Sequence, residues 1–170
     1  MYKDGVSLVE AKDYINAEEY FRLAENYADS KKYHIYCKAQ NLLAKDDLES
    51  YNYFTKCKDF LDSKNILETN EYFVLVNKLQ GKWEMGEYVG EVRKATAKSG
   101  TLAAKPSNGL PTYEINGTKL FNRGREDDTL ILLDKKITLK SSEGSVLGDE
   151  FKIINDKTIK IGNYNWDKLE

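Results

Sequence analysis

The chain of 170 residues offers few groups able to do chemistry: one histidine, His34, and two cysteines, Cys37 and Cys57. A single imidazole excludes a multi-histidine metal site, and two thiols exclude a four-thiolate zinc site or a disulfide framework. His34 stands between Tyr33 and Ile35 on a stretch of helical periodicity, with no second ligand of its kind. It reads first as a surface or partly packed side chain and second as a pH-sensitive contact. Both cysteines lie on helical stretches and read as buried thiols; a disulfide between them would need close Cα atoms. Three carboxylates stand together at Glu126-Asp127-Asp128, after Arg123 and Arg125. Such oxygens can hold a cation, but the spacing is not that of a calcium loop and the arginines offset the charge, so a solvated turn is expected. Glu84, Glu87 and Glu91 could suggest a glycosidase-like pair, yet strand alternation sends Glu84 and Glu87 to opposite faces. Arg93, Lys94, Lys98 and Lys105 fall in an acid-free stretch between Glu91 and Glu114, rich in Ala, Thr, Ser and Gly. That stretch reads as a loop able to touch an acidic partner, without the aromatic residues that stack bases. No nucleophile elbow, phosphate loop or dinucleotide fingerprint is present. The net charge of −2 gives no overall field for nucleic acid.

The elements that must carry these residues change character near residue 80. Nine of the twelve tyrosines precede it, whereas ten of the eleven glycines and both prolines follow it. Glycine and proline punctuate strands and turns, so their distribution suits helices first and short strands after. The first half also repeats itself. Ala11-Lys12-Asp13 returns as Ala44-Lys45-Asp46, Tyr20-Phe21 as Tyr53-Phe54, and Asp29-Ser30-Lys31 as Asp62-Ser63-Lys64, all at an offset of 33. A period in the low thirties without internal glycine or proline predicts helix–turn–helix repeats. Helices are expected near residues 3–12, 14–27, 30–45, 47–60 and 63–79, with Asp13, Asp29, Asp46 and Asp62 as caps. Tyr20, Tyr27, Tyr36 and Tyr51 fall on the apolar stripes, as does Leu61, whereas Tyr14, Tyr33 and Tyr53 sit beside them. The dense run Tyr72-Phe73-Val74-Leu75-Val76 exceeds one stripe and asks for cover on two sides.

From Gly81 the period changes to two. Strands are expected over residues 82–92, 112–115, 118–122, 129–133, 136–140, 150–154, 157–161 and 163–168. Asn116-Gly117 and Asn155-Asp156 mark tight hairpins. Consecutive hairpins predict an up-and-down sheet, curled or closed into a barrel, with a β-sandwich as the other arrangement. The fold class is therefore α+β, with helical hairpin repeats over 1–79 and an antiparallel β domain over 80–170.

Two resemblances attach to these residues. Ala11-Lys12-Asp13-Tyr14, Ala17, Tyr20-Phe21, Tyr27 and Asp29-Ser30 resemble bacterial tetratricopeptide-like repeats over residues 3–79. The pattern departs at Lys12 and Lys45, where those repeats carry glycine, and at Ser50, where they carry alanine. Leu79-Gln80 followed by Gly81-Lys82-Trp83 looks like the opening of lipocalin-like domains, and Tyr164-Asn165-Trp166-Asp167-Lys168 resembles the closing strand of bacterial members. The second resemblance implies that Trp83 plugs one end of a barrel; the first implies a protein- or peptide-binding scaffold.

The leading expectation is a non-enzymatic interaction module using the helical groove, with Tyr14, Tyr33, His34 and Tyr53 as partner-binding residues. The alternatives are a small apolar ligand inside the barrel against Trp83 or Trp166, and a steric inhibitor or immunity-type protein. No cofactor, metal, nucleic acid or membrane insertion by this chain is expected. No apolar run reaches signal-peptide or membrane-span length, so the chain as it stands reads as cytoplasmic, or else as an extracytoplasmic piece of a membrane-anchored protein.

Overall fold

A computed structural model describes residues 1–88, 112–147 and 151–169. The basic stretch from Arg93 to Lys105 and Glu91 lie outside the described residues. The fold is α+β: six helices precede an eight-stranded antiparallel sheet that is nearly closed into a barrel. The chain divides into two compact units, Met1–Asn77 and Lys78–Glu170. Among the described residues no helix is long and apolar enough to cross a membrane.

The helices are α1 (Tyr2–Glu10), α2 (Tyr14–Leu23), α3 (Ser30–Leu43), α4 (Glu49–Lys56), α5 (Ser63–Thr69) and α6 (Glu71–Leu79). Positions 33 apart share an environment. Ala17 and Ser50, Phe21 and Phe54, and Ser30 and Ser63 are all buried. Ala28 and Leu61 both turn the chain with φ of 49°. Neither is glycine, so the corners are held in a left-handed conformation by their surroundings rather than by their own preference. α2 ends at Leu23, with Glu25 turning left-handed at φ of 47°, and α4 ends at Lys56, both earlier than the periodicity suggests. Tyr27 and Leu61 consequently leave the expected stripes and are exposed, as is Tyr20.

The interior is aromatic instead. Phe21 stacks on Tyr33 at 4.5 Å, Tyr33 meets Phe60 edge-on at 4.7 Å, and Tyr36 touches both Phe60 and Phe54. Phe54 and Tyr51 then meet Phe73 of α6. Offset and edge-to-face pairs of this kind add about 0.5–1.5 kcal/mol each beyond their buried area. The phenol of Tyr36 donates to Asp62 at 2.7 Å and accepts from the Gln40 amide at 2.7 Å. Burial, with the Asp62 carboxylate beside it, holds this phenol far above the usual tyrosine range.

Of the four expected aspartate caps only Asp13 caps a helix through its side chain, accepting from the Asn16 amide. Asp29 and Asp62 occupy the cap positions of α3 and α5 without a side-chain hydrogen bond. Asp46 lies before α4 with φ of 54°, and Asp47 accepts from the Glu49 amide. The single helix expected over 63–79 is broken at Asn70. Its backbone is extended there, and its side-chain oxygen accepts from the Tyr72 and Phe73 amides, starting α6 afresh. In α6 Phe73, Val76 and Leu79 are buried, whereas Leu75 is exposed.

The strands are β1 (Gly81–Tyr88), β2 (Thr112–Asn116), β3 (Lys119–Asn122), β4 (Arg125–Leu133), β5 (Lys136–Ser141), β6 (Phe151–Asn155), β7 (Thr158–Ile161) and β8 (Tyr164–Lys168). Their order is β5-β4-β3-β2-β1-β8-β7-β6, every neighbour antiparallel. One sheet thus replaces the sandwich alternative. Cross-strand partners place Trp83, Met85, Ile115, Leu120, Leu130, Leu139, Ile159 and Trp166 on one face, and most of them are fully buried. The β2–β3 turn is Gly117-Thr118 rather than Asn116-Gly117, because Asn116 still pairs with Lys119. Gly117, with φ of 59°, fills the first position of a two-residue turn that favours glycine there.

Asn70→Ala should lower the stability of the helical unit by about 1 kcal/mol through loss of the α6 cap, read as a lower urea midpoint of the circular dichroism at 222 nm. Asn70→Asp should hold the midpoint near that of the parent chain.

Candidate functional site

Three helices bring polar and aromatic side chains together on one surface of the helical unit. On α3 His34, Lys38 and Asn41 follow at intervals of four and three residues, which places them on one face. The Nε2 of His34 lies 3.6 Å from a carboxylate oxygen of Glu18 on α2. Asn41 donates from Nδ2 to the other oxygen of Glu18 at 2.7 Å and to the Tyr14 carbonyl at 3.2 Å. Across the α3–α4 contact, the ammonium of Lys38 sits 4.8 Å from the centre of the Tyr53 ring, and that of Lys56 sits 4.9 Å from the same centre. The Tyr53 hydroxyl is the main cause holding the Lys38 ammonium above the usual lysine range, with the more distant charges of Glu18 and Glu49 adding to it. Neither lysine forms an ion pair among the described residues. Glu18, His34, Lys38, Asn41 and Tyr53 are all half-buried.

The residues singled out from sequence divide accordingly. His34 and Tyr53 lie on this surface. Tyr14 adjoins it through its carbonyl, while its ring packs edge-on against Tyr36 at 5.9 Å. Tyr33 belongs to the aromatic interior, between Tyr2, Phe21 and Phe60, and burial raises its phenol. Glu18, Lys38, Asn41 and Lys56 join His34 and Tyr53 on this surface. Helical spacing marks Lys38 and Asn41 from His34 and Lys56 from Tyr53, but nothing local marks Glu18. Cys37 and Cys57 are free and buried. Burial pushes the Cys37 thiol up to about 12 and raises that of Cys57, so neither supplies a thiolate at neutral pH.

In the β unit Trp83 is fully buried and its indole N–H donates to the Leu79 carbonyl at 2.8 Å. Trp166 is 3% exposed and stacks on Tyr113 at 4.7 Å, and its Nε1 has no hydrogen-bond partner among the described residues. Asp128 lies opposite Leu120 and Ser141, on the same face as the buried tryptophans. Burial, then the neighbouring Asp127 charge, raises its carboxyl above the usual range. Tyr113 is raised by burial and next by Asp127 and Asp128. Glu126-Asp127-Asp128 is therefore strand rather than the expected turn, because β4 starts at Arg125. Glu126 is paired by Lys119 at 2.7 Å, not by the arginines. Among the described residues no three His, Cys, Asp or Glu side chains cluster to hold a metal.

A carboxyl raised in the folded state favours its protonated form, so its ionisation opposes folding as pH rises from the ordinary carboxylate range through the raised value. Asp128→Asn removes that opposition. The variant should match the parent chain at pH below about 4 and exceed it in stability at neutral pH. The check is urea unfolding followed by tryptophan fluorescence, since Trp83 and Trp166 both lie in the β unit. A gap in stability that stays constant across this pH range would contradict the assignment.

Comparison with known proteins gives no match: no family model, no curated protein and no solved structure matches this chain.

Proposed function

We propose that the helical unit is a protein- or peptide-binding module of the tetratricopeptide-like kind and that its contact surface is the face formed by α2, α3 and α4. The observation that carries this reading is a face of half-buried side chains from three helices, with Glu18 engaging His34 and Asn41, and Lys38 engaging Tyr53. The apolar aromatic residues of the unit fill its interior and have no need of this surface. Partly buried, mutually oriented polar groups with an aromatic at their centre suit recognition of another chain, because little ordering remains to be done on binding. The role in this reading is non-enzymatic: burial keeps the Cys37 thiol protonated, and the His34 imidazole faces the Glu18 carboxylate, which also takes the Asn41 amide.

Display of random peptides of about twelve residues on the full chain tests this. Counter-selection uses the His34→Ala/Tyr53→Ala variant, which changes the face and leaves the interior aromatic residues in place. Peptide families that bind the parent chain at least tenfold more tightly are expected. If the variant retains every selected peptide, the face is not the contact surface.

A second reading is favoured by one observation in the β unit. The buried N–H of Trp166 has no partner among the described residues, and a buried donor without an acceptor costs about 1–3 kcal/mol. A small, mainly apolar ligand with one acceptor oxygen, entering past Tyr113, would relieve that cost against a wall of Trp83 and Trp166. Titration with apolar probes should then quench tryptophan fluorescence saturably; a linear, unsaturable response would discard this reading.

A further inference from the structure

We propose that Asn116-Gly117 is a site of spontaneous isoaspartate formation that the Gln80 side chain holds closed, so that loosening of the β2–β3 hairpin leaves a permanent chemical mark.

An Asn followed by Gly carries its own reaction. The Gly117 backbone nitrogen attacks the side-chain carbonyl carbon of Asn116. The new C–N bond closes a succinimide ring, and the side-chain nitrogen leaves as ammonia, taking up the proton that the attacking nitrogen gives up. Water then opens the ring at either carbonyl, giving aspartate or isoaspartate. Nothing is oxidised or reduced, and water is the co-reactant. Glycine favours the step because it has no Cβ to crowd the attacking nitrogen. Asn116 is exposed, so water and base reach its side chain.

Two features of the β unit oppose ring closure. The first is Gln80. Its Oε1 accepts from the Gly117 N–H at 2.6 Å, and its Nε2 donates to the Gly117 carbonyl at 3.0 Å. The attacking nitrogen must lose its proton, and a hydrogen bond made by the protonated form disfavours that loss. The second is the strand. Asn116 ends β2 and pairs with Lys119. A strand side chain stands roughly perpendicular to the sheet, whereas ring closure needs it turned along the chain onto the next nitrogen. The far side of the turn is anchored as well, because Thr118 is buried and its carbonyl accepts from the Leu130 amide at 2.8 Å. Gln80 is therefore the hold that reaches this turn from outside the hairpin, from the residue between α6 and β1.

The product cannot resume the native pairing. Isoaspartate lengthens the main chain by one carbon at position 116. Ile115 lies opposite Leu120 with both side chains buried, and added length at the turn displaces that register. Return of Gln80 to Gly117 does not reverse it.

The full chain, Gln80→Ala and Gln80→Glu are incubated in warm, mildly alkaline buffer, and the parent chain also in guanidinium. Peptide mapping with electron-transfer fragmentation reads aspartate and isoaspartate at position 116. It keeps this pair apart from Asn108-Gly109, which lies outside the described residues. The folded parent should convert at least about tenfold more slowly than the unfolded one. Gln80→Ala, with its tryptophan fluorescence still native, should convert about fivefold faster than the folded parent. Gln80→Glu keeps an acceptor for the Gly117 N–H and should stay within about twofold of the parent. Should Gln80→Ala unfold, hydrogen exchange of the Gly117 amide in the parent gives a second measurement, and slow exchange is expected. Equal conversion in the parent and in folded Gln80→Ala would overturn the role of Gln80, as would fast exchange at Gly117 or a Gln80→Glu chain that converts as fast as the unfolded parent. Equal conversion of folded and unfolded parent would remove the closed site altogether.

Discussion

The β unit depends on how the end of a helix is satisfied. The Leu79 carbonyl belongs to the last turn of α6, where no further helical amide is available to it. The indole of Trp83, four residues later, supplies the missing donor. To reach it the chain must reverse at once, and Gly81 allows that reversal with φ of 117°. Between them Gln80 grips the first hairpin, donating to the Gly117 carbonyl and accepting from its amide. Five consecutive residues thus set where β1 begins, which way its buried face points and where the β2–β3 turn lies. From Trp83 the buried face extends through Ile115 and Leu120 in one direction and through Trp166 and Ile159 in the other. The helical unit has a comparable pin in Tyr36, whose single hydroxyl joins the middle of α3 to the start of α5.

Much of this architecture was legible in the sequence because it follows from period. The offset of 33 reappears as matched burial at Phe21 and Phe54 and at Ser30 and Ser63. Strand limits agree within a few residues, since alternation and turn residues are local signals. Departures arise where one side chain chooses among several backbone partners. Asn70 can sit inside a helix or cap a new one, and the apolar run around it does not reveal which. Short acceptors favour capping at Asp29 and Asp62, but the Tyr36 phenol claims Asp62 instead. Periodicity puts Tyr27 and Leu61 on the stripes because it cannot announce a left-handed corner. Glu126 to Asp128 looked like a turn on charge alone, whereas the pairing of β3 with β4 draws Asp128 onto the buried face.

The candidate surface was legible only in part, for a related reason. His34 and Tyr53 stand out by residue type and by position beside a stripe. Lys56 reaches Tyr53 within α4 at a spacing of three, but the approach of Lys38 depends on the contact of α3 with α4, which has no local signature. Tyr33, beside the stripe, is half-buried like Tyr53, but its ring is taken up by contacts with Phe21 and Phe60. Tyrosine number alone therefore says little about binding here, since most of the rings do the work that leucine does in other helical arrays.

The glycine-free corners bear on how much room the chain has to change. Ala28 and Leu61 hold left-handed conformations at exposed sites, at a cost of roughly 1 kcal/mol or more apiece for an L residue. That strain lies at the surface, away from both the aromatic interior and the Tyr53 face. The helical unit therefore sits below the stability its own architecture would allow, and the shortfall is concentrated where substitutions disturb neither packing nor recognition. Replacements at the corners could offset destabilising changes elsewhere, so the binding face can drift in sequence towards new partners while the scaffold beneath it stays folded.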